Sequence, residues 1–478
     1  RRMVETDGDS LAYAREVYMN ACQHHNVIPN GEFREALTDP EVGCFSVGAA
    51  FQFATEKDLL ALFQALAVNH TIKQLSLDAL IPDQLGSSVM NALVAALSKN
   101  THLRSISLCH CQLDDARAAL LFSVFSTNKT LSEVHLRDNV LTGKSLKSLP
   151  APEAGQPHPL QTLDIRGNAG IKKDASVAKE LAKFMGSISV LRLDTEGAKL
   201  GPLLLAVKKK NHLRDLIISE TALPINIILS LCDHLATSSV LTSLSLPFCW
   251  VGERGGLGIA GALMANEALT FLDLSHNAIG TKAGEILSEA LRKNNTLTSL
   301  NLCENELTDA TGYYLACALS ENQVLTSMDI SSNPLGEQGA LALLEGLRRN
   351  QSLLSLGPLA TLPVSLTLRG ALELALDRAA QRQVQLMQMH PSREEKIAAL
   401  ERMLQGTPAN EQRLRRQIFR LEDQVERLED RSARQESQIL EQQHEIAQLR
   451  KQVSAYMPVD GKEGKKGKKG GKKGSPTK

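Results

Sequence analysis

Residues 297–307 read LTSLNLCENEL, and nearly the same words stand at 241–251 (LTSLSLPFCWV), 269–279 (LTFLDLSHNAI) and 325–335 (LTSMDISSNPL). The four starts are 28 residues apart each time. A fixed period of roughly 20 to 50 residues marks a chain built from stacked supersecondary units rather than around one closed core. The same step taken backwards finds weaker copies beginning at Ile72, Leu103, Leu131, Leu160, Ile188 and Leu213. A degenerate last copy begins at Leu353, which makes about eleven units.

Within a unit, L-x-x-L-x-L predicts a short strand whose alternate side chains point inward, Leu297, Leu300 and Leu302 being one such set. An asparagine follows, at Asn139, Asn168, Asn277, Asn305 and Asn333, and Cys111 and Cys249 take its slot in weaker copies. A buried Asn there can donate its amide to backbone carbonyls that the turn would otherwise strand. The second half has helical spacing. Ala283, Ile286, Leu287, Ala290 and Leu291 form one stripe, with Thr281 as the expected N-cap. One such unit cannot bury its own leucines, so stacked units must share a core. The expected fold is α/β: a right-handed solenoid of about eleven 28-residue repeats, with strands on the inner curve and helices outside. The unit resembles the ribonuclease-inhibitor class of leucine-rich repeats over roughly residues 72–356. That resemblance implies a horseshoe. It implies no single function, because the class serves inhibitors, GTPase activators, immune receptors and cytoskeletal scaffolds alike.

The flanks differ in period. Residues 1–71 are expected to form a helical cap and lead-in, two short helices breaking at Pro29-Asn30-Gly31. The pattern Tyr18, Cys22, Pro29, Phe33, Leu37 is also similar to the leader of some centrosomal and ciliary leucine-rich-repeat proteins. Repeats are expected over 72–365, then a helical cap and linker over 366–410, with a helix from Leu366 to Met389 and another starting at Ser392. From Glu411 to Tyr456 the period becomes seven. Ile418, Val425, Ile439, Ile446 and Val453 fall at a, and Leu421, Leu428 and Leu449 at d, which predicts a parallel dimeric coiled coil. Ser432, Gln435 and Gln442 interrupt the seam and can fix register. Residues 457–478 are expected to be a disordered basic tail, with eight lysines against one glutamate in its last 17 residues. Such a tail suits acidic polymers, tubulin tails among them.

Chemistry is sparse. The chain is electrically neutral overall, with 53 Lys and Arg against 53 Asp and Glu. Eight cysteines without regular spacing argue against a disulfide framework and for a reducing compartment. No apolar run approaches the roughly 18 residues of a membrane span. The GKS at 143–145 lacks the glycine a phosphate loop needs five residues earlier, where Asp138 stands. The CHC at 109–111 has no second ligand pair at zinc spacing. Formal glycosylation sequons at Asn69, Asn128, Asn294 and Asn350 all fall where a helix meets the next strand, so they read as parts of the repeat. No catalytic, cofactor or metal site is expected.

What remains are the outward strand positions. Repeats three to six carry Glu133, His135, Arg137, Asp164, Arg166, Arg192, Asp194 and Asp215, a mixed-charge patch. Repeats seven to ten carry blander residues such as Ser299 and Ser327. Arg137, Arg166 and Arg192 are expected to form one transverse row. Exchanging Arg166 and Arg192 for glutamate should then leave stability within roughly 1 kcal/mol. Trp250, on the loop leaving its strand, is a candidate contact anchor. The resulting expectation is a non-enzymatic scaffold that holds a protein partner on the concave face and pairs through 411–456. Horseshoe, coiled coil and basic tail together resemble cytoskeletal proteins of centrosomes, basal bodies and axonemes, which implies a cytoplasmic, cytoskeletal setting. A second reading is a regulator of a small GTPase, similar to Ran GTPase activators, although those carry an acidic tail.

Overall fold

A computed structural model describes residues 7–389, apart from 40–42, 48–53, 152–157, 175, 195–199 and 211. The coiled-coil positions, the helix expected from Ser392 and the basic tail lie outside the described residues.

Eleven strands form one wholly parallel sheet in strict chain order. They are β1 (Cys44–Ser46), β2 (Gln74–Ser76), β3 (Ser105–Ser107), β4 (Glu133–His135), β5 (Thr162–Asp164) and β6 (Val190–Leu193). The remainder are β7 (Asp215–Ile218), β8 (Ser243–Ser245), β9 (Phe271–Asp273), β10 (Ser299–Asn301) and β11 (Ser327–Asp329). A helix follows each strand from β2 onward, and together these elements make an α/β solenoid. The sheet starts one strand before the first repeat. Cys44–Ser46, inside the stretch read as a helical lead-in, pairs with Gln74–Ser76. The last repeat, from Leu353, adds only the bridge Ser327 to Ser355.

The leucine frame performs as its period demands. Leu297, Leu300 and Leu302 are buried, as are Ala283, Leu287, Ala290 and Leu291 on the following helix, while Ile286 stays partly exposed. Thr281 is not the N-cap. It lies in the helix's first turn, its hydroxyl 2.9 Å from that of Thr308.

Two asparagine ladders stitch the repeats together. In the turn ladder, Asn277 Nδ2 donates to the carbonyls of Leu246, Leu274 and Ser275 at 2.7, 2.9 and 2.8 Å. Its Oδ1 accepts the N–H groups of Cys249 and Val251 at 2.9 and 3.2 Å. Asn139, Asn168, Asn305 and Asn333 repeat the pattern. Where cysteine substitutes, the thiol donates instead: Cys111 Sγ lies 3.2 Å from Leu77 O and Cys249 Sγ 3.1 Å from Ile218 O. Burial pushes both thiols up to about 12, so they keep the proton that this bond uses.

The second ladder runs where helix meets strand. Asn294 Nδ2 donates to Leu263 O and Asn266 O, both at 3.0 Å, and its Oδ1 accepts from Thr296 and Leu297. Asn69, Asn128 and Asn350 sit in the same ladder, each buried. The sequon asparagines are thus structural: their amide nitrogens are already bonded inside the solenoid.

On either side of the turn asparagine the backbone is left-handed in residues that are not glycine. Phe248 and Trp250 have φ of 57° and 56°, His276 and Ala278 57° and 50°, Glu304 and Glu306 52° and 61°. Glycine is required elsewhere, between helices. A Cβ on Gly256, Gly284 or Gly312 would come within 2.7–2.8 Å of an atom of the next unit's helix, so this column lets neighbouring helices approach closely.

Both ends of the leucine core are covered. Tyr18, Cys22, Phe33 and Leu37 are buried, and the Tyr18 and Phe33 rings meet edge-on at 4.8 Å. Asn30 caps the helix Gly31–Ala36, donating its own N–H to the Tyr18 hydroxyl at 3.0 Å. At the other end, Leu368, Leu372 and Leu376 of the helix Leu366–Met389 join the core.

Candidate interaction face

The outward positions of β4 to β7 bring the mixed-charge residues together, but not in the row expected. Backbone register aligns His135 with Asp164, and Asp164 with Arg192. Arg166 lies two residues beyond Asp164, so Arg192 stands one row earlier than Arg137 and Arg166. The correction follows from counting: 28 residues after Arg166 is Asp194, not Arg192.

That shift changes the electrostatics. Asp164, expected on an open face, is only 3% exposed. Arg166 grips it with two bonds, Nε to Oδ1 at 2.9 Å and Nη2 to Oδ2 at 2.6 Å. From the neighbouring strand Arg192 reaches both Asp164, at 4.0 Å, and Asp215, at 3.6 Å. Its Nε is buried without a hydrogen-bond partner. Asp194 is buried too; its Oδ2 accepts the Gly167 N–H at 3.1 Å while Oδ1 has no partner. Burial raises the Asp194 carboxyl above the ordinary carboxylate range and lowers the His135 imidazole below its own.

Short in-register strands stand about 5 Å apart, so neighbouring outward side chains shield one another. The patch is therefore an ordered charge network with a free margin, rather than a set of independent surface charges. Glu133 and Arg137 form that margin, with side chains 39% and 52% exposed, and Arg137 pairs with Asp138 at 2.8 Å. The bland comparison positions are also less open than their parity implied, since Ser299 and Ser327 are 4% and 7% exposed.

Trp250 projects from its loop, 78% exposed. Sequence reasoning missed its companions. Phe248 is 47% exposed and stacks on His276 with ring centroids 3.8 Å apart and planes 13° apart. His276 Nδ1 lies 2.7 Å from a Glu304 carboxylate oxygen. Phe248, His276 and Glu304 all occupy the position just before the turn asparagine or its cysteine substitute, a column the period itself could have supplied.

A leucine-rich-repeat family model matches residues 127–149, 265–288, 293–316 and 321–344. With the consecutive parallel strands and their asparagine ladder, these matches show that the solenoid contains leucine-rich repeats. Among solved structures, it is similar to the leucine-rich-repeat-containing protein LegL7 from Legionella pneumophila, at 16% identity and a TM-score of 0.39. That match covers 70% of this chain and 98% of the other. A structure of actin-binding site 2 of leiomodin-1 matches at 20% identity and a TM-score of 0.28, over 41% of this chain and 95% of the other. No curated protein matches the chain. Among the described residues, no helix is long and apolar enough to cross a membrane.

Proposed function

We propose that this protein is a non-enzymatic scaffold that grips a protein partner on the sheet face of its solenoid. The observation that carries the reading is the charge network of β4 to β7. Its arginines and carboxylates are already fixed by one another, so docking loses little side-chain freedom. A tightly alternating pattern of charge also rejects wrong partners. Glu133→Arg with Arg137→Glu reverses the exposed margin while leaving buried Asp164 and its two arginines untouched. In proximity labelling from the intact chain, this variant is expected to lose the specific labelled set that the parent gives. Lys282→Glu, at an exposed position on an outer helix, should keep it. If both variants label as the parent does, the network is a solvated face and the reading falls.

Self-association through 411–456 belongs to the same proposal, supported by the heptad pattern. Leu421→Asp with Leu428→Asp puts charge into the seam and is expected to turn a dimer into a monomer in sedimentation at micromolar concentration. A parent chain that is already monomeric there would remove dimerisation from the account. The cytoskeletal setting, with the basic tail on an acidic polymer, is proposed from the resemblance in domain order.

A further inference from the structure

The half of the sheet face beyond the charge network has a different character. The stretches 215–222, 243–250, 271–278, 299–306 and 327–334 run from the first outward position of each strand, β7 to β11, to the loop that follows. They contain no lysine or arginine and six carboxylates. Asp215 and Glu220 are taken by Arg192 and Lys172. The other four meet no lysine or arginine partner: Asp273 and Asp329 on the strands, Glu304 and Glu306 on the rim. Asp273 and Asp329 are held in place by accepting the N–H groups of Ser275 and Ser331, both at 2.9 Å. Along the same rim stand the exposed Trp250 and Phe248, the latter fixed by its stack on His276. The carboxylates without a lysine or arginine partner therefore present one sign of charge over three strands, β9 to β11, and their loops, with the Trp250 indole on the loop before them.

We propose that this half of the face binds an extended, lysine-rich segment of a protein partner. Ammonium groups would sit over the carboxylates, and one would lie on the Trp250 ring. A surface of one sign raises the local concentration of the opposite charge and repels its own. The indole face attracts a cation directly. An anionic segment is repelled, and an apolar one finds two exposed aromatics among serines and asparagines. The inference rests on the sheet face being a protein-binding surface but not on the network of β4 to β7. The Glu133 and Arg137 variant tests that network separately.

Trp250 is the chain's only tryptophan, so its emission reports on the rim alone. The test uses the full chain with the eight lysines of 462–478 changed to glutamine, so that its own tail does not compete, titrated with a synthetic lysine–glycine peptide. A saturable change in emission is expected, and half-saturation should need at least about tenfold more peptide when salt rises to about 0.5 M. Glu304→Gln with Glu306→Gln should weaken binding roughly fivefold, as two partly exposed ion pairs are lost, while the protein melts like its parent. A glutamine–glycine peptide should change nothing. The proposal is overturned by an absent or unsaturable response, by equal binding of the glutamine peptide, or by unchanged binding to the double variant.

Discussion

Replacing Asn277 with leucine is expected to destabilise the solenoid by about 4 kcal/mol, because two buried N–H groups lose their acceptor at roughly 1–3 kcal/mol each. The two donors are Cys249 and Val251, one repeat earlier, and three carbonyls lose a donor in the same step. Asn277→Cys should lose less, since a thiol in this slot still donates to one of the carbonyls, as Cys249 does to Ile218. In a solenoid each unit is stabilised by its neighbours. The leucine variant should therefore also split the unfolding curve, with repeats on either side of the break melting apart. Denaturant titration followed by far-UV circular dichroism shows both effects. Leucine tolerated to within about 1 kcal/mol would mean that the ladder is a passenger of the leucine core.

Arg166→Glu with Arg192→Glu is expected to lose about 3–5 kcal/mol, the usual consequence of stripping a buried charge of its partners. Both arginines converge on Asp164, which is almost wholly buried. The substitutions replace two attractions with two repulsions. Adding Asp164→Asn to the double variant should recover part of the loss, because the repelled charge is then gone; a double-mutant cycle isolates that coupling. If the double variant melts like the parent, the network carries no stability. This expectation departs from the one that strand parity alone supports, in which both arginines are independent surface groups.

The contrast shows what a periodic sequence discloses and what it withholds. Leu297, Leu300 and Leu302 were legible because burial in this fold is a matter of position within the period. The turn asparagines and their cysteine substitutes were legible for the same reason. Sequons at Asn69, Asn128, Asn294 and Asn350 read correctly as structural, although their carbonyl partners lie in the preceding unit and no local pattern names them. β1 was missed because CFS at 44–46 carries no leucine frame. Parity predicted that Asp164 and Asp194 point outward. It could not predict their burial, which depends on what stands on the strands at either side. Arg192 belongs to the row of Asp164 and not of Arg166, because it stands 28 residues after Asp164 and pairs with it in register. Phe248 and His276 escaped notice because neither is unusual alone; only stacking across two repeats makes them a unit.

The left-handed residues flanking the turn asparagine bear on how such a surface can change over evolutionary time. Glycine is the residue that this conformation favours, and another side chain there carries a penalty of roughly 1–2 kcal/mol. Yet Phe248, Trp250, His276, Glu304 and Glu306 all accept it. Asn277, Asn305 and Asn333, each one repeat further on, hold that backbone, bonding the N–H groups next to these residues rather than the residues' side chains. The conformation is thus enforced from inside, and the side chains outside are nearly free to be exchanged. Binding chemistry on the rim can drift from aromatic to acidic between successive repeats without any renegotiation of the core. The same arrangement that makes one asparagine costly to lose makes its two neighbours cheap to vary.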